Sequence, residues 1–331
     1  MSAVLVVGGA GYVGSHMVKL LLERGHSTFV FDNLSHGHRD AVGKARLIEA
    51  DLLDPAGLRR VFADHKFDAV MHYAALCYVG ESVQKPREYY RANVIGTLNL
   101  LDAMLEARVD KLVFSSTCAT YGEPVEVPIT EAHPQRPINP YGASKLAVER
   151  ILLDYARAYG LNSTSLRYFN AAGCDPEGRI GERHEPETHL IPLALQECRR
   201  VRAGGDAAQT ALVVHGNDYP TPDGTCVRDY VHVDDLAQAH LAAMEKMTGG
   251  ELQGAHQYNL GIGTGFSVLQ VIESAKRVTG IPIRFRISGR RPGDPATLVA
   301  DASMARRALH WDPRYRSLDE IVATAWKWFQ A

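Results

Sequence analysis

Tyr141 and Lys145 stand four residues apart in Tyr141-Gly142-Ala143-Ser144-Lys145, inside a segment that reads as helix to about Tyr159. That spacing puts both side chains on one helical face, where a phenol and an ammonium can converge on one substrate atom. Such a pair can move a proton. A free Tyr, with a pKa near 10, is a poor base at neutral pH, and a neighbouring cation favours its phenolate. The spacing alone is weak, because 14 Tyr and 9 Lys in 331 residues give about 0.4 such pairs by chance. Position adds weight: Pro140 suits a helix start, and the preceding strand-like run ends in Ser115, Ser116 and Thr117. The rival reading is an amphipathic helix with a surface Tyr and Lys.

A second chemical signature opens the chain. Gly8-Gly9-Ala10-Gly11-Tyr12-Val13-Gly14 lies between a first strand and a first helix and fits both G-x-G-x-x-G and G-x-x-G-x-x-G. Glycines allow a tight turn and close backbone approach, and the helix start offers free N–H groups to a pyrophosphate. Asp32, at the end of the second strand, is placed to accept bonds from the adenosine ribose and to repel a 2′-phosphate, so NAD is expected over NADP. Asn33 and Leu34 follow it, without a basic residue. Asp51 suits the adenine amino group or, equally, a cap for the next turn. An oxidised nicotinamide would add to the cationic field that favours a Tyr141 phenolate.

These residues need a sheet edge to hold them. Val4 to Val7, Thr28 to Asp32, Arg46 to Ala50, Ala69 to Tyr73, Leu112 to Ser116 and Ser163 to Tyr168 read as strands, with helical periodicity between them. The first helix runs from about Tyr12 to Arg24 and stops at Gly25. This βα alternation predicts an α/β fold, a doubly wound parallel sheet of Rossmann type with a smaller C-terminal α/β substrate domain. Residues 1–169 form the expected nucleotide domain and 170–331 the substrate domain, with a segment near 228–240 returning to the first. Apolar residues are 46% and charged residues 22%, which excludes disordered and coiled-coil classes. The net charge of −2 carries no basic run for nucleic acid, and no membrane span or leader is evident, so a cytoplasmic protein with a small-molecule partner is expected. Five cysteines without C-x-x-C spacing read as free thiols. His184, Glu185 and His189 fail the helical H-E-x-x-H test, and no metal is expected.

Along nearly its whole length the chain resembles the UDP-glucose 4-epimerases of the extended short-chain dehydrogenase/reductases. The resemblance rests on the stretches already quoted together with Val79-Gly80-Glu81-Ser82-Val83-Gln84-Lys85-Pro86, Gly216-Asn217-Asp218-Tyr219-Pro220-Thr221, Val227-Arg228-Asp229-Tyr230-Val231-His232-Val233, Tyr258-Asn259-Leu260-Gly261 and Arg290-Arg291-Pro292-Gly293-Asp294. It implies Tyr141 as the base at sugar O4, Thr117 as the hydroxyl sharing that bond, and Lys145 as the holder of the nicotinamide ribose. Cofactor contacts are implied for Gly8, Gly11, Tyr12, Val13, Gly14, Asp32, Asn33, Asp51, Leu52, Tyr73, Ala74, Ala75, Asn93, Ser115 and Tyr168. Substrate contacts are implied for Asn170, His189, Leu190, Val213, His215, Arg228, Tyr230, Arg291, Asp294 and Leu298. Arg228 and Arg291 also suit phosphate through bidentate bonding.

The implied reaction is oxidation at C4 of a UDP-sugar, rotation of the 4-keto sugar about its diphosphate, and re-reduction on the other face with NAD as a resident cofactor. The family resemblance also implies a homodimer built on helices near Ala92 to Ala107 and Ala147 to Tyr159. Three departures from the family pattern stand out: Cys77 replaces a common Lys near the nicotinamide, His189 and His215 replace a common uridine-binding Asn and an aromatic that stacks on uracil, and Leu298 stands at the position that sets how large a sugar fits. UDP-glucose/UDP-galactose is the expected pair and UDP-xylose/UDP-arabinose the alternative. A dehydratase or decarboxylase needs acids where Cys118 and Ala119 stand, and a non-catalytic NAD-sensing protein would not need the Tyr and Lys.

Overall fold

The computed structural model describes residues 1–206, 209–291 and 293–330; Pro292, within one of the family-like stretches, lies outside them. The first half alternates β1 (Ala3–Val7), α1 (Tyr12–Glu23), β2 (Ser27–Asp32), β3 (Arg46–Glu49), α2 (Pro55–Asp64), β4 (Ala69–His72), α3 (Val79–Gln84), α4 (Pro86–Tyr89), α5 (Gly96–Glu106), β5 (Lys111–Thr117), α6 (Pro140–Tyr159) and β6 (Asn162–Tyr168). The second half runs β7 (Asn170–Ala172), α7 (Leu190–Arg202), β8 (Val213–His215), β9 (Val227–Arg228), β10 (Tyr230–His232), α8 (Val233–Thr248), β11 (Ala255–Leu260), β12 (Phe266–Ser267), α9 (Val268–Thr279), β13 (Arg286–Ser288), β14 (Thr297–Leu298), α10 (Ser303–Leu309) and α11 (Leu318–Gln330).

The main sheet has the order β11-β6-β5-β4-β1-β2-β3 with every pairing parallel. β1 shows why its sequence makes such a strand: its β-branched, apolar run is buried on both faces. Val4 and Val6 pack into one core with Met17 of α1 and Leu236 of α8, and Leu5 and Val7 into another with Leu58, Leu100 and Leu152. Strand order reverses at β1, so the edge between β1 and β4 is the switch point where ligands of such sheets bind. α1 ends as read, at Gly25 with φ +77°.

β11 was not among the strands read from the sequence; it pairs with β6 from Ala255↔Ser163 to Leu260↔Tyr168. α8 covers the same face as α1, and Lys19 of α1 reaches Asp175 at 2.7 Å and Asp234 at 3.2 Å. The first sheet is therefore completed by residues of the second half. That half also has a separate core, in which Ile191 and Leu195 of α7 meet Ile272 of α9 and Ile321 and Trp326 of α11. Among the described residues no helix is long and apolar enough to cross a membrane.

Candidate active site

The parallel registers bring the chemistry to one edge. Val7 pairs with Phe31 and His72, His72 with Phe114, and Thr117 with Tyr168, so Gly8, Asp32, Tyr73, Thr117 and Tyr168 all lie at or just past the carboxyl ends of their strands.

A cradle is built around the glycine loop. Gly8 has φ +80°, and a Cβ there would lie 2.4 Å from Ala74 N; a Cβ at Gly14 would lie 2.2 Å from Gly8 O. Over Gly11 the nearest protein atom to such a Cβ would be Gly8 O at 3.5 Å, so that side is left open. Gly11 caps α1 without a side-chain bond, and the first turn carries no acid. Tyr12, Val13 and Gly14 thus begin a helix whose N–H groups suit an anion. Asp32, 9% exposed, accepts from Ala10 N at 3.0 Å and Leu34 N at 2.9 Å, which leaves lone pairs for ribose hydroxyls. Burial raises its pKa. Asn33 Nδ2 donates to Asp51 at 2.9 Å; Asp51 also holds Leu53 N, and the cap of α2 is Asp54 instead. Asn93 sits in a π-helical turn, Tyr90–Ile95, and clamps both backbone groups of Leu76 while donating to Ser144 Oγ at 3.0 Å. It therefore also positions the Ala74–Cys77 loop. Leu52 packs in the core beside Ala74, and Asn99 holds its carbonyl. These groups fit a dinucleotide.

α6 delivers the pair. Asn139 caps it through Gly142 N at 2.8 Å, and a Cβ at Gly142 would lie 2.4 Å from Ala119 O, so only glycine lets the helix start close against the turn that follows Thr117. The Thr117 hydroxyl lies close enough to the Tyr141 phenol to lower its pKa. Lys145 Nζ donates to Ser115 O at 2.8 Å and lies 4.7 Å from the Phe114 ring centre; Ser115 Oγ meets Tyr168 OH at 2.5 Å. Burial draws Lys145 down to about 8 and pushes Tyr141 well above its usual value, with the nearby Thr117 hydroxyl working the other way. The lowered phenol expected from the sequence is not what the chain alone provides, because burial is the largest influence on Tyr141. Ala75 and Tyr73 line the same edge, Tyr73 against His240.

The second half closes over this edge. Arg228 lies in register with Leu298 and reaches Pro295 O at 2.8 Å and Asp294 at 3.4 Å. Its charge is felt at Cys118, next to Thr117. Leu298 packs on Cys118, Tyr121 and Phe169. Asn170 pairs with Tyr230, and its N–H donates to Asp229 O. Val213 and His215 lie on β8, where His215 Nδ1 meets Ser288 Oγ at 2.9 Å, and Arg291 acts on His215. His189 caps α7, which begins at Leu190. Cys77 is in electrostatic reach of Lys145 and His189.

The helical argument against a metal does not apply to the observed segment. His184 and His189 lie on a loop that ends at α7, and one donor atom each from Glu182, His184, Glu187 and His189 lies within 4.8 Å of the others. Glu185 is not among them. The E-x-H-x-x-E-x-H spacing was the available signal.

The model of the NAD dependent epimerase/dehydratase family matches residues 4–261. A UDP-glucose 4-epimerase of Halalkalibacterium halodurans is 51% identical over 98% of this chain and 95% of that relative. A UDP-glucose 4-epimerase from Brucella ovis, solved in complex with NAD, superposes with a TM-score of 0.91 at 48% identity over 97% of this chain and 96% of that one. One from Stenotrophomonas maltophila, with bound NAD and formylated UDP-arabinopyranose, gives 0.92 at 38% identity over 100% and 98%. A phenol and an ammonium one turn apart on α6, a glycine cradle and an acid at the end of the second strand thus stand in a chain that belongs to the NAD dependent epimerase/dehydratase family.

Proposed function

We propose that the protein interconverts UDP-glucose and UDP-galactose at C4 through a transient 4-keto sugar, with NAD retained. The observation that supports this is that α6, which carries Tyr141 and Lys145 one turn apart, fixes Lys145 on Ser115 O beside Thr117, at the same sheet edge as the Gly8–Gly14 cradle. When bound, NAD supplies reversible hydride transfer at C4. Tyr141 takes the O4 proton and returns it, and Thr117 holds the phenol and the hydroxyl on one line. Lys145, fixed by Ser115 O, stands to bond the nicotinamide ribose and to add positive field at the phenol. Arg228 and Arg291 pair with the diphosphate, so the sugar turns about an anchored group. Asn170, Leu190, Val213, His215, Tyr230 and Asp294 complete the uridine diphosphate side.

Incubation with UDP-galactose and no added cofactor should yield UDP-glucose, and denaturation should release NAD. Stoichiometric NADH without epimer would reject the reading in favour of a dehydrogenase. UDP-xylose/UDP-arabinose is the second reading, favoured by the pentose nucleotide held by the Stenotrophomonas relative. We also propose a nucleotide-binding part built by residues 1–169 together with α8 and β11, the rest of 170–331 forming the substrate part, a cytoplasmic location, and a homodimer through α5 and α6. Ile95 is 44% and Tyr159 61% exposed near that face, and mass measurement by light scattering tests the dimer.

A further inference from the structure

Glu182, His184, Glu187 and His189 point four donors at one place. Glu182 Oε1 lies 2.7 Å from His189 Nδ1 and 3.3 Å from His184 Nδ1; Glu187 Oε1 lies 3.2 Å from His189 Nδ1, and its Oε2 3.6 Å from His184 Nδ1. Yet Glu182 Oε1, His184 Nδ1 and His189 Nδ1 are sealed from solvent without a hydrogen-bond partner of acceptable geometry, and Glu182 is only 5% exposed. Buried imidazole and carboxylate atoms that crowd together as ion pairs, yet without a well-aligned hydrogen bond, are an arrangement a cation resolves. Zinc bonds of 2.0–2.2 Å in a tetrahedron space neighbouring ligands by about 3.4 Å, which the four N···O separations bracket.

We propose that these four residues bind one zinc ion. Two imidazoles and two carboxylates form a borderline donor set that suits Zn²⁺ better than Mg²⁺ or Ca²⁺. Glu187 Oε1 also accepts from Thr188 N and His189 N, both at 2.8 Å, which fixes the carboxylate from behind. Four protein ligands leave no open position, so the ion is structural and takes no part in catalysis. It joins the start of α7, where His189 is the cap, to the strap before it. That strap lies against the glycine loop: Tyr12 OH donates to Gly173 O at 2.5 Å, His38 Nε2 meets Arg183 O at 3.1 Å, and Arg183 pairs with Asp40 at 2.6 Å. Zinc would hold this cover in place.

The full-length protein, stripped with a chelator and dialysed, is titrated with ZnCl₂ and, separately, CoCl₂. One ion per chain, a Co²⁺ visible spectrum of tetrahedral intensity, and at least tenfold weaker zinc binding in His184→Ala support the site. Glu187→Gln, nearly isosteric, serves as the second variant, and circular dichroism establishes that each variant is folded. Binding below one-half ion per chain, an octahedral Co²⁺ spectrum, or equal zinc affinity in folded variants overturns it. The readout needs no UDP-sugar, so its failure is distinguishable from failure of the epimerase reading.

Discussion

Glu149 sits one helical turn past Lys145 on α6, and Arg167 of β6 grips its carboxylate through Nη2 at 2.6 Å and Nε at 2.9 Å, both residues being buried. Ser116 Oγ donates to Glu149 at 2.5 Å, and Arg167 Nη1 to Tyr121 OH at 2.8 Å. The ion pair thus sets the height of α6 against β5 and β6, and with it the place of Tyr141. Removing one partner from a buried pair costs about 3–5 kcal/mol, and replacing both by apolar residues costs much less. Glu149→Ala should lose that much in urea unfolding, and Glu149→Leu with Arg167→Met should lose less than Glu149→Ala. A loss below about 1 kcal/mol in Glu149→Ala would contradict the pair's role.

Tyr141→Phe should keep its circular dichroism and its NAD while kcat falls by a factor on the order of 10² to 10⁴. Wild-type turnover in this variant would remove Tyr141 from the reaction.

Lys145 carries a stability cost with a definite sign. Its folded pKa of about 8 lies below the usual value near 10.4, so between these pH values the unfolded chain binds the extra proton and stability rises with pH. Lys145→Met removes the buried charge. In cofactor-free protein it should be about 1–3 kcal/mol more stable than wild type near pH 7, with the gap closing toward pH 10, while activity collapses. Thermal unfolding at both pH values measures this, and a gap that widens with pH would show that the ammonium is not destabilised by burial.

Asp32 does two jobs. It holds Leu34, whose φ is +56°, as well as facing the expected ribose. Asp32→Ala with Asn33→Arg should weaken NAD and strengthen NADP binding, but lower Tm through the strained Leu34. Adding Leu34→Gly should restore part of the Tm without changing the cofactor ratio. Titration of both cofactors that finds unchanged affinities would exclude Asp32 as the ribose ligand.

Leu298 forms part of the wall between Arg228 and the Cys118–Tyr121–Phe169 cluster. Overfilling such a site costs ~1–3 kcal/mol, or roughly 5 to 150-fold in discrimination. Leu298→Tyr should narrow and Leu298→Gly widen the acceptance of UDP-N-acetylgalactosamine relative to UDP-galactose. The kcat/KM ratios across the three proteins decide it, and equal ratios would place size selection elsewhere.

Legibility followed periodicity. β1, the glycine loop and α6 could be read because a β-branched apolar run, turn glycines and a four-residue spacing are local signals. β11 could not, since Ala255-His256-Gln257-Tyr258-Asn259-Leu260 is half polar and only its seat beside β6 makes it a strand. The π-helical turn that carries Asn93 leaves no periodic mark, although Asn93 itself was named through the family resemblance. The helical test weighs His184, Glu185 and His189 and misses Glu182 and Glu187, because a loop, whose geometry has no fixed period, brings the donors together. Arg228 and Leu298 become neighbours through strand pairing across about 70 residues of chain, which no local pattern reports.

The seat of β11 and α8 on the first sheet also governs synthesis. The chain leaves the ribosome from its N-terminus at about 5–20 residues per second, and the end of β11 emerges about 90 residues after the end of β6. For roughly 5 to 20 s the nascent sheet presents the edge of β6 and the apolar face that α8 will cover. The nucleotide-binding half is therefore not a module that folds ahead of the rest, and a nascent chain stalled within this interval is a natural client for a chaperone.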